Sequence, residues 1–193
     1  HDIQPKLLIR VIAADQDGLT TSQDFEILIT NVNEPPTALT LDTNTVAENE
    51  SRDTLIGTLA TADPDAGDSY TYGFASGDGD VDNKLFKLDK ETGSIRTKEP
   101  LDFEAKGLRS IRVSTTDGAG HVLKQAFVIN VTNVNEQPLT LTIDNAVVRE
   151  RKDEGTLVGQ LSATDTDAGD THTFALASGQ DDTHNNLFQI DGN

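Results

Sequence analysis

The sequence predicts an all-β protein built from tandem Greek-key β-sandwiches of seven strands each. Three observations predict it. The chain repeats itself at a fixed spacing of domain size. Short runs with a two-residue apolar period alternate with Asp/Gly/Asn turns. No segment carries a 3.6-residue apolar period.

The repeat sets the architecture. ILITNVNEPP ends at Pro36 and VINVTNVNEQP at Pro138, 102 residues later, and the register then holds without a gap. TLIGTLATADPDAGD (54–68) lies over TLVGQLSATDTDAGD (156–170), and FASG (74–77) over LASG (176–179). NKLFKLD (83–89) lies over NNLFQID (185–191). Backwards, RVIAADQDG (10–18) lies over RVSTTDGAG (112–120). Roughly half of the positions in 31–91 recur in 133–193, far beyond chance. Residues 1–34 are therefore read as the last third of one unit, 35–136 as a complete unit and 137–193 as the first half of a third. The chain is expected to be an interior fragment of a longer array.

The strands of the complete unit follow in order. An extended run near 37–49 closes on VAEN. TLIGTLATAD (54–63) alternates small or polar with apolar residues. YTYGFAS (70–76), LFKLD (85–89) and GSIRTK (93–98) are short β-rich runs bounded by turn residues. LRSIRVSTTD (108–117) puts Ile111 and Val113 on one face, and QAFVINV (125–131) does the same with Phe127, Ile129 and Val131. Seven short strands in about 100 residues is a sandwich spacing.

Composition narrows the function. The formal net charge is −18, from 33 acidic and 15 basic side chains. Nucleic acid needs clustered Lys and Arg, so it is not an expected partner. There is no Cys, hence no disulfide framework and no thiolate metal site. No apolar run approaches the ~18 residues of a membrane span. An acidic surface suits solubility or cations.

The acids recur at strand ends and turns. Glu48, Asp63, Asp65, Asp102, Glu104, Asp117 and Glu136 mark the complete unit. Glu150, Asp165 and Asp167 follow one repeat later, and Asp15 and Glu34 stand one repeat earlier. A sandwich delivers strand ends to two poles. Glu48, Asp102 and Glu104 are predicted at one pole, Asp63, Asp65 and Asp117 at the other. Each linker, Asn31–Glu34 and Asn133–Glu136, then joins two such poles. Carboxylates ~4–6 Å apart at an effective dielectric of about 20 repel by roughly 3–4 kcal/mol per pair. Calcium relieves this with six to eight oxygen ligands. Magnesium keeps more water, and zinc prefers His or Cys, for which the four His show no shared spacing.

Taken together, AEN around Glu48, Asp63-Pro-Asp65, LFKLDKETGSI (85–95), LDFE (101–104), STTD ending at Asp117 and NVNEQP (133–138) resemble a cadherin repeat. The lack of Cys and Trp and the DAGD and DFE variants are similar to bacterial cadherin-like repeats of large surface adhesins. The resemblance implies an immunoglobulin-like sandwich, an extracellular or cell-surface location and Ca2+ between successive repeats. At the second linker it implies ligands Glu48, Asp102, Glu104, Asn133, Asn135, Glu136, Asp165 and Asp167. At the first it implies Asn31, Asn33, Glu34, Asp63, Asp65 and Asp117, with Asp2 in the Glu104 position. The family's Asp-x-Asn-Asp linker here reads Asn-x-Asn-Glu, which points to modest affinity, on the order of 10⁻⁴–10⁻³ M.

No catalytic constellation recurs between copies, so an enzyme is not expected. His121, His172 and His184 read as surface residues, and the sequons at Asn49 and Asn130 as chance. GDGDVDN (77–83) looks like a calcium loop but lacks the required Gly and flanking helices, and is expected to be a solvated hairpin loop. The leading reading is a calcium-stiffened spacer and adhesion repeat whose partners are its neighbouring repeats. A calcium-dependent carbohydrate-binding module is the alternative; it would contact polysaccharide through Tyr70 and Tyr72. Contact with another adhesin, homophilic or not, is a third. The two partial units are also expected to complement one another between chains, giving head-to-tail association.

Overall fold

A computed structural model describes residues 6–192. Asp2 lies outside the described residues. The chain forms two compact units, one running to Thr132 and one from Asn133 onward.

The first unit opens with an antiparallel hairpin. β1 (Lys6–Ala14) pairs with β2 (Thr20–Leu28), Ala14 opposite Thr20. Asp15 closes the loop, its Oδ1 accepting from the backbone N–H groups of Asp17 and Leu19 at 3.0 and 2.8 Å. Gly18, at φ +83, supplies the left-handed residue that the turn demands. Arg10 clamps Asp24 across the pair with two hydrogen bonds of 2.6 and 2.7 Å. The apolar residues of both strands are exposed.

Eight strands follow: β3 (Ala38–Leu41), β4 (Thr45–Ala47), β5 (Leu55–Ala62), β6 (Thr71–Phe74), β7 (Phe86–Leu88), β8 (Ser94–Thr97), β9 (Leu108–Thr116) and β10 (Val122–Thr132). They form two four-stranded sheets, β3-β5-β8-β7 and β4-β10-β9-β6. The count exceeds seven because the first extended run is broken at 42–44. β3 joins one sheet antiparallel to β5, and β4 joins the other parallel to β10. Asp42 holds the break, its Oδ1 accepting from the N–H groups of Thr43 and Thr58, each at 2.7 Å. A Cβ on Gly57 would lie 2.2 Å from the Thr43 carbonyl oxygen, so the two strands can approach only at glycine.

Between the sheets lies one core. Ile111 and Val113 of β9, Ile129 and Val131 of β10, Phe86 of β7, Ile95 of β8 and Ile56 and Leu59 of β5 are buried there. On β9 and β10 the two-residue period puts those residues inward; on β5 a register shift between Leu55 and Gly57 accompanies the inward placement of both Ile56 and Leu59. Fully burying each such side chain contributes about 1.5–3 kcal/mol.

The segment 77–83 departs from expectation. It is a crossover from β6 in one sheet to β7 in the other rather than a hairpin loop. Asp82 is buried at its end, accepting from Lys106 Nζ at 2.6 Å and from the Ser110 N–H at 2.7 Å. That acid fastens the end of the crossover to β9, in the sheet that holds β6.

The second unit has two regular strands, β11 (Thr140–Ile143) antiparallel to β12 (Leu161–Thr164). They match β3 and β5 one repeat on. The glycine constraint also recurs, with a Cβ on Gly159 falling 2.1 Å from the Asn145 carbonyl oxygen. The 3₁₀ turn Asn83–Leu85 has its counterpart at Asn185–Leu187. Among the described residues, no helix is long and apolar enough to cross a membrane.

Candidate metal centres

β10 runs the length of the sandwich, from the turn after Asp117 to Thr132, and the acids gather at its two ends. At the Thr132 end, the Glu48 backbone N–H bonds the Thr132 carbonyl at 3.0 Å, continuing the parallel β4–β10 pairing. The Glu48 side chain is buried, its Oε2 accepting from the Phe103 N–H at 2.7 Å. Asp102 folds the same loop by accepting from the Ala105 N–H at 2.7 Å. Carboxylate oxygens of Glu48, Asp102 and Glu104 thereby lie within 4.8 Å of one another.

At the other end Asp65 and Asp117 are buried. The linker residues before the sandwich are seated on them. Asn31 Nδ2 donates to Asp65 Oδ1 at 2.5 Å, and the Glu34 N–H donates to Asp65 Oδ2 at 2.6 Å. Asn33 Nδ2 donates to Asp117 Oδ2 at 2.8 Å. The Asn31 bond, then the Glu34 bond, hold the Asp65 carboxyl below its ordinary range. Burial alone would raise Asp117, but hydrogen bonds from Asn33 and His121 outweigh it and bring its pKa down to about 2. His121 is exposed, as expected of a surface residue, and it also touches this acid. Its ring contacts Asp117 Oδ2 at 2.9 Å, and its backbone N–H donates to Oδ1 at 2.7 Å.

Asp63 spends one oxygen locally, Oδ1 accepting from the Asp65 N–H at 2.9 Å. Asp63, Asp68 and Asp117 then form a second group of carboxylates within 4.8 Å. Burial, then the charges of Asp65, Asp63 and Asp117, push the Asp68 carboxyl above its ordinary value.

In the second unit much of the pattern repeats. The Glu136 N–H donates to Asp167 Oδ2 at 2.7 Å, as Glu34 does to Asp65. That bond, followed by one from Asn133, holds Asp167 below its ordinary range. The Asp167 N–H donates to Asp165 Oδ1 at 3.1 Å, and Asn135 Nδ2 turns to the Glu136 carbonyl at 2.8 Å. Asp165, Asp167 and Asp170 are grouped within 4.8 Å.

The donor set fits calcium. Asp63 Oδ2, Asp68 Oδ2, Asp165 Oδ2 and Asp167 Oδ1 are shut off from solvent and have no hydrogen-bond partner. A buried carboxylate oxygen without a donor is costly, and a hard cation with oxygen ligands is its natural partner. The Asn side chains can present either an N–H donor or a carbonyl acceptor. These carboxylate and amide oxygens are the ligands a hard cation prefers, and with no Cys in the chain a thiolate centre is excluded.

Both the sequence and the fold are similar to those of known proteins. A family model for the cadherin domain matches residues 42–132. Residues 42–132 are a cadherin domain. The chain is 37% identical over 129 residues to human Protocadherin gamma-A1, an alignment covering 65% of this chain and 14% of that protein. It is 32% identical over 143 residues to the Drosophila melanogaster Fat-like cadherin-related tumor suppressor homolog, covering 69% of this chain and 3% of that one. The chain thus spans a small part of the relatives it matches. Among solved structures, the Protocadherin GammaB4 extracellular domain superposes with a TM-score of 0.61 at 22% identity, over 86% of this chain and 27% of that one. That likeness shows the fold. These relatives are animal proteins, and the comparisons lend no support to the expected bacterial source or surface adhesin.

The carbohydrate reading loses its footing as well. Tyr72 packs against the sandwich core, and its hydroxyl accepts from Thr61 at 3.3 Å. Neither Tyr70 nor Tyr72 is fully exposed, so they offer no flat aromatic platform for a sugar.

Proposed function

We propose that this chain is a segment of an extracellular string of cadherin repeats in which calcium at the repeat junctions stiffens the string for adhesion. Residues 35–136 form the whole repeat, 1–34 the end of the preceding one and 137–193 the start of the next. The first junction draws ligands from Asn31, Asn33, Glu34, Asp63, Asp65 and Asp117. The second draws them from Glu48, Asp102, Glu104, Asn133, Asn135, Glu136, Asp165 and Asp167.

What supports the reading is the seating of the first linker. Asn31 and Glu34 close on Asp65, and Asn33 closes on Asp117. A linker that touches the acids of the following repeat is where one ion can grip both sides. Without the ion the acids repel and the few linker residues swing; with it, the swing stops. Isothermal titration is expected to show calcium uptake with Kd on the order of 10⁻⁴–10⁻³ M. No heat at millimolar calcium would overturn the proposal.

A further inference from the structure

DAGD closes the acidic loop in both copies, at Asp68 and at Asp170, and neither residue belongs to the ligand set above. We propose that Asp68 and Asp170 are themselves calcium ligands, each completing a cup of three carboxylates built inside one repeat. This rests on the calcium reading and adds a ligand to it.

The two loops carry the argument independently. In the first, Asp68 offers a carboxylate oxygen within 4.8 Å of those of Asp63 and Asp117. Asp68 Oδ2 and Asp63 Oδ2 are both closed to solvent and both without a partner. A turn-forming aspartate would spend its oxygens on nearby N–H groups, as Asp63 Oδ1 does with Asp65. Asp68 Oδ2 stays unspent. In the second loop Asp170 lies within 4.8 Å of Asp165 and Asp167. Asp167 is only 6% exposed, yet its Oδ1 has no partner, and neither does Asp165 Oδ2. A recess of about 310 Å³ opens there, lined by Asn135, Glu136, Asp165, Asp170 and His172.

The glycine before each aspartate makes the placement possible. Gly67 and Gly169 take φ of +89 and +97, turning the chain back so that the last carboxylate returns to the first. Nothing else crowds either glycine. In each loop three carboxylates converge and two oxygens stay unsatisfied; Asp68 and Asp170 hold the same position in both, while the third member is Asp117 in the first and Asp167 in the second. The consequence is functional. Each repeat holds an ion at this pole through its own loop, and the linker then closes over an ion already in place.

Tyrosine-sensitised terbium luminescence tests this in the first loop alone. The chain has two tyrosines, Tyr70 and Tyr72, and the positions one repeat on are His172 and Phe174. Tyr70 feels the charges of Asp63 and Asp68, so an ion in the cup sits beside the sensitiser. The intact chain is expected to give terbium emission that calcium displaces. Asp68→Asn should raise the half-saturating terbium concentration about tenfold or more, with Ser69→Ala as the neighbouring control and circular dichroism as the check on folding. In calorimetry Asp170→Asn should weaken calcium uptake while leaving the Tyr70 signal unchanged. Unchanged half-saturation in Asp68→Asn overturns the added ligand but not the calcium reading. Calcium heat without tyrosine-sensitised emission does the same. Neither heat nor emission from the intact chain overturns both.

Discussion

Phe86 and Phe188 occupy the same place in two copies of one sequence pattern, yet Phe86 is 0% exposed and Phe188 51%. Ile111 is 0% exposed and its earlier counterpart Ile9 45%. The local conformations nevertheless agree: β11 and β12 pair as β3 and β5 do, and the 3₁₀ turn before each Phe is kept. Local turns and pairings are written into short stretches of chain. Burial is not, because it needs β9 and β10 across the sandwich. The sandwich of β3–β10 has a buried core with loops attached, whereas the apolar residues of β1, β2 and β11 are exposed.

That contrast can be broken by substitution. Phe86→Ala should destabilise the complete repeat by about 3–5 kcal/mol in denaturant unfolding, and Phe188→Ala by less than about 0.5 kcal/mol. Equal effects would mean that the second unit has a core of its own. Gly57→Ala and Gly159→Ala sharpen the same point from the other side. Both crowd a backbone oxygen at about the same distance, 2.2 and 2.1 Å. Each should cost about 1–3 kcal/mol locally, seen as faster hydrogen exchange in its strand pair.

The proposed calcium sites extend the comparison to the linkers. Glu48→Gln keeps the shape of a buried side chain and removes its charge. It should weaken calcium binding about tenfold at the second junction in calorimetry and leave the tyrosine-sensitised signal at the first unchanged. A smaller effect concerns pH. Asp117 is depressed to about 2 from an ordinary 3.8. A depressed carboxylate contributes stability above the unfolded-state value and loses it as pH falls through the folded one. Unfolding midpoints without calcium should therefore drop between about pH 4 and pH 2, and Asn33→Ala should flatten that drop.

Much of this was legible in the sequence. Ile111, Val113, Ile129 and Val131 follow a two-residue period, and the 102-residue register places Asp63, Asp65 and Asp117 at one pole. The break between β3 and β4 was not legible, because its cause is the contact of Asp42 with Thr58, sixteen residues on. Asp82 was misread as part of a solvated loop because its partners, Lys106 and Ser110, lie on a distant segment. His121 carries no spacing that marks it, and only the fold brings its ring to Asp117. Asp68 did carry a signal, since DAGD recurs intact, but its unsatisfied oxygen appears only once the loop is folded.

The central claim is that calcium removes motion at the junctions. Small-angle X-ray scattering of this chain in millimolar calcium and in excess chelator tests it most directly. Calcium should give a longer maximum dimension and a narrower distribution of conformations, lost on chelation and restored on adding calcium back. Scattering curves that coincide in the two conditions would contradict it.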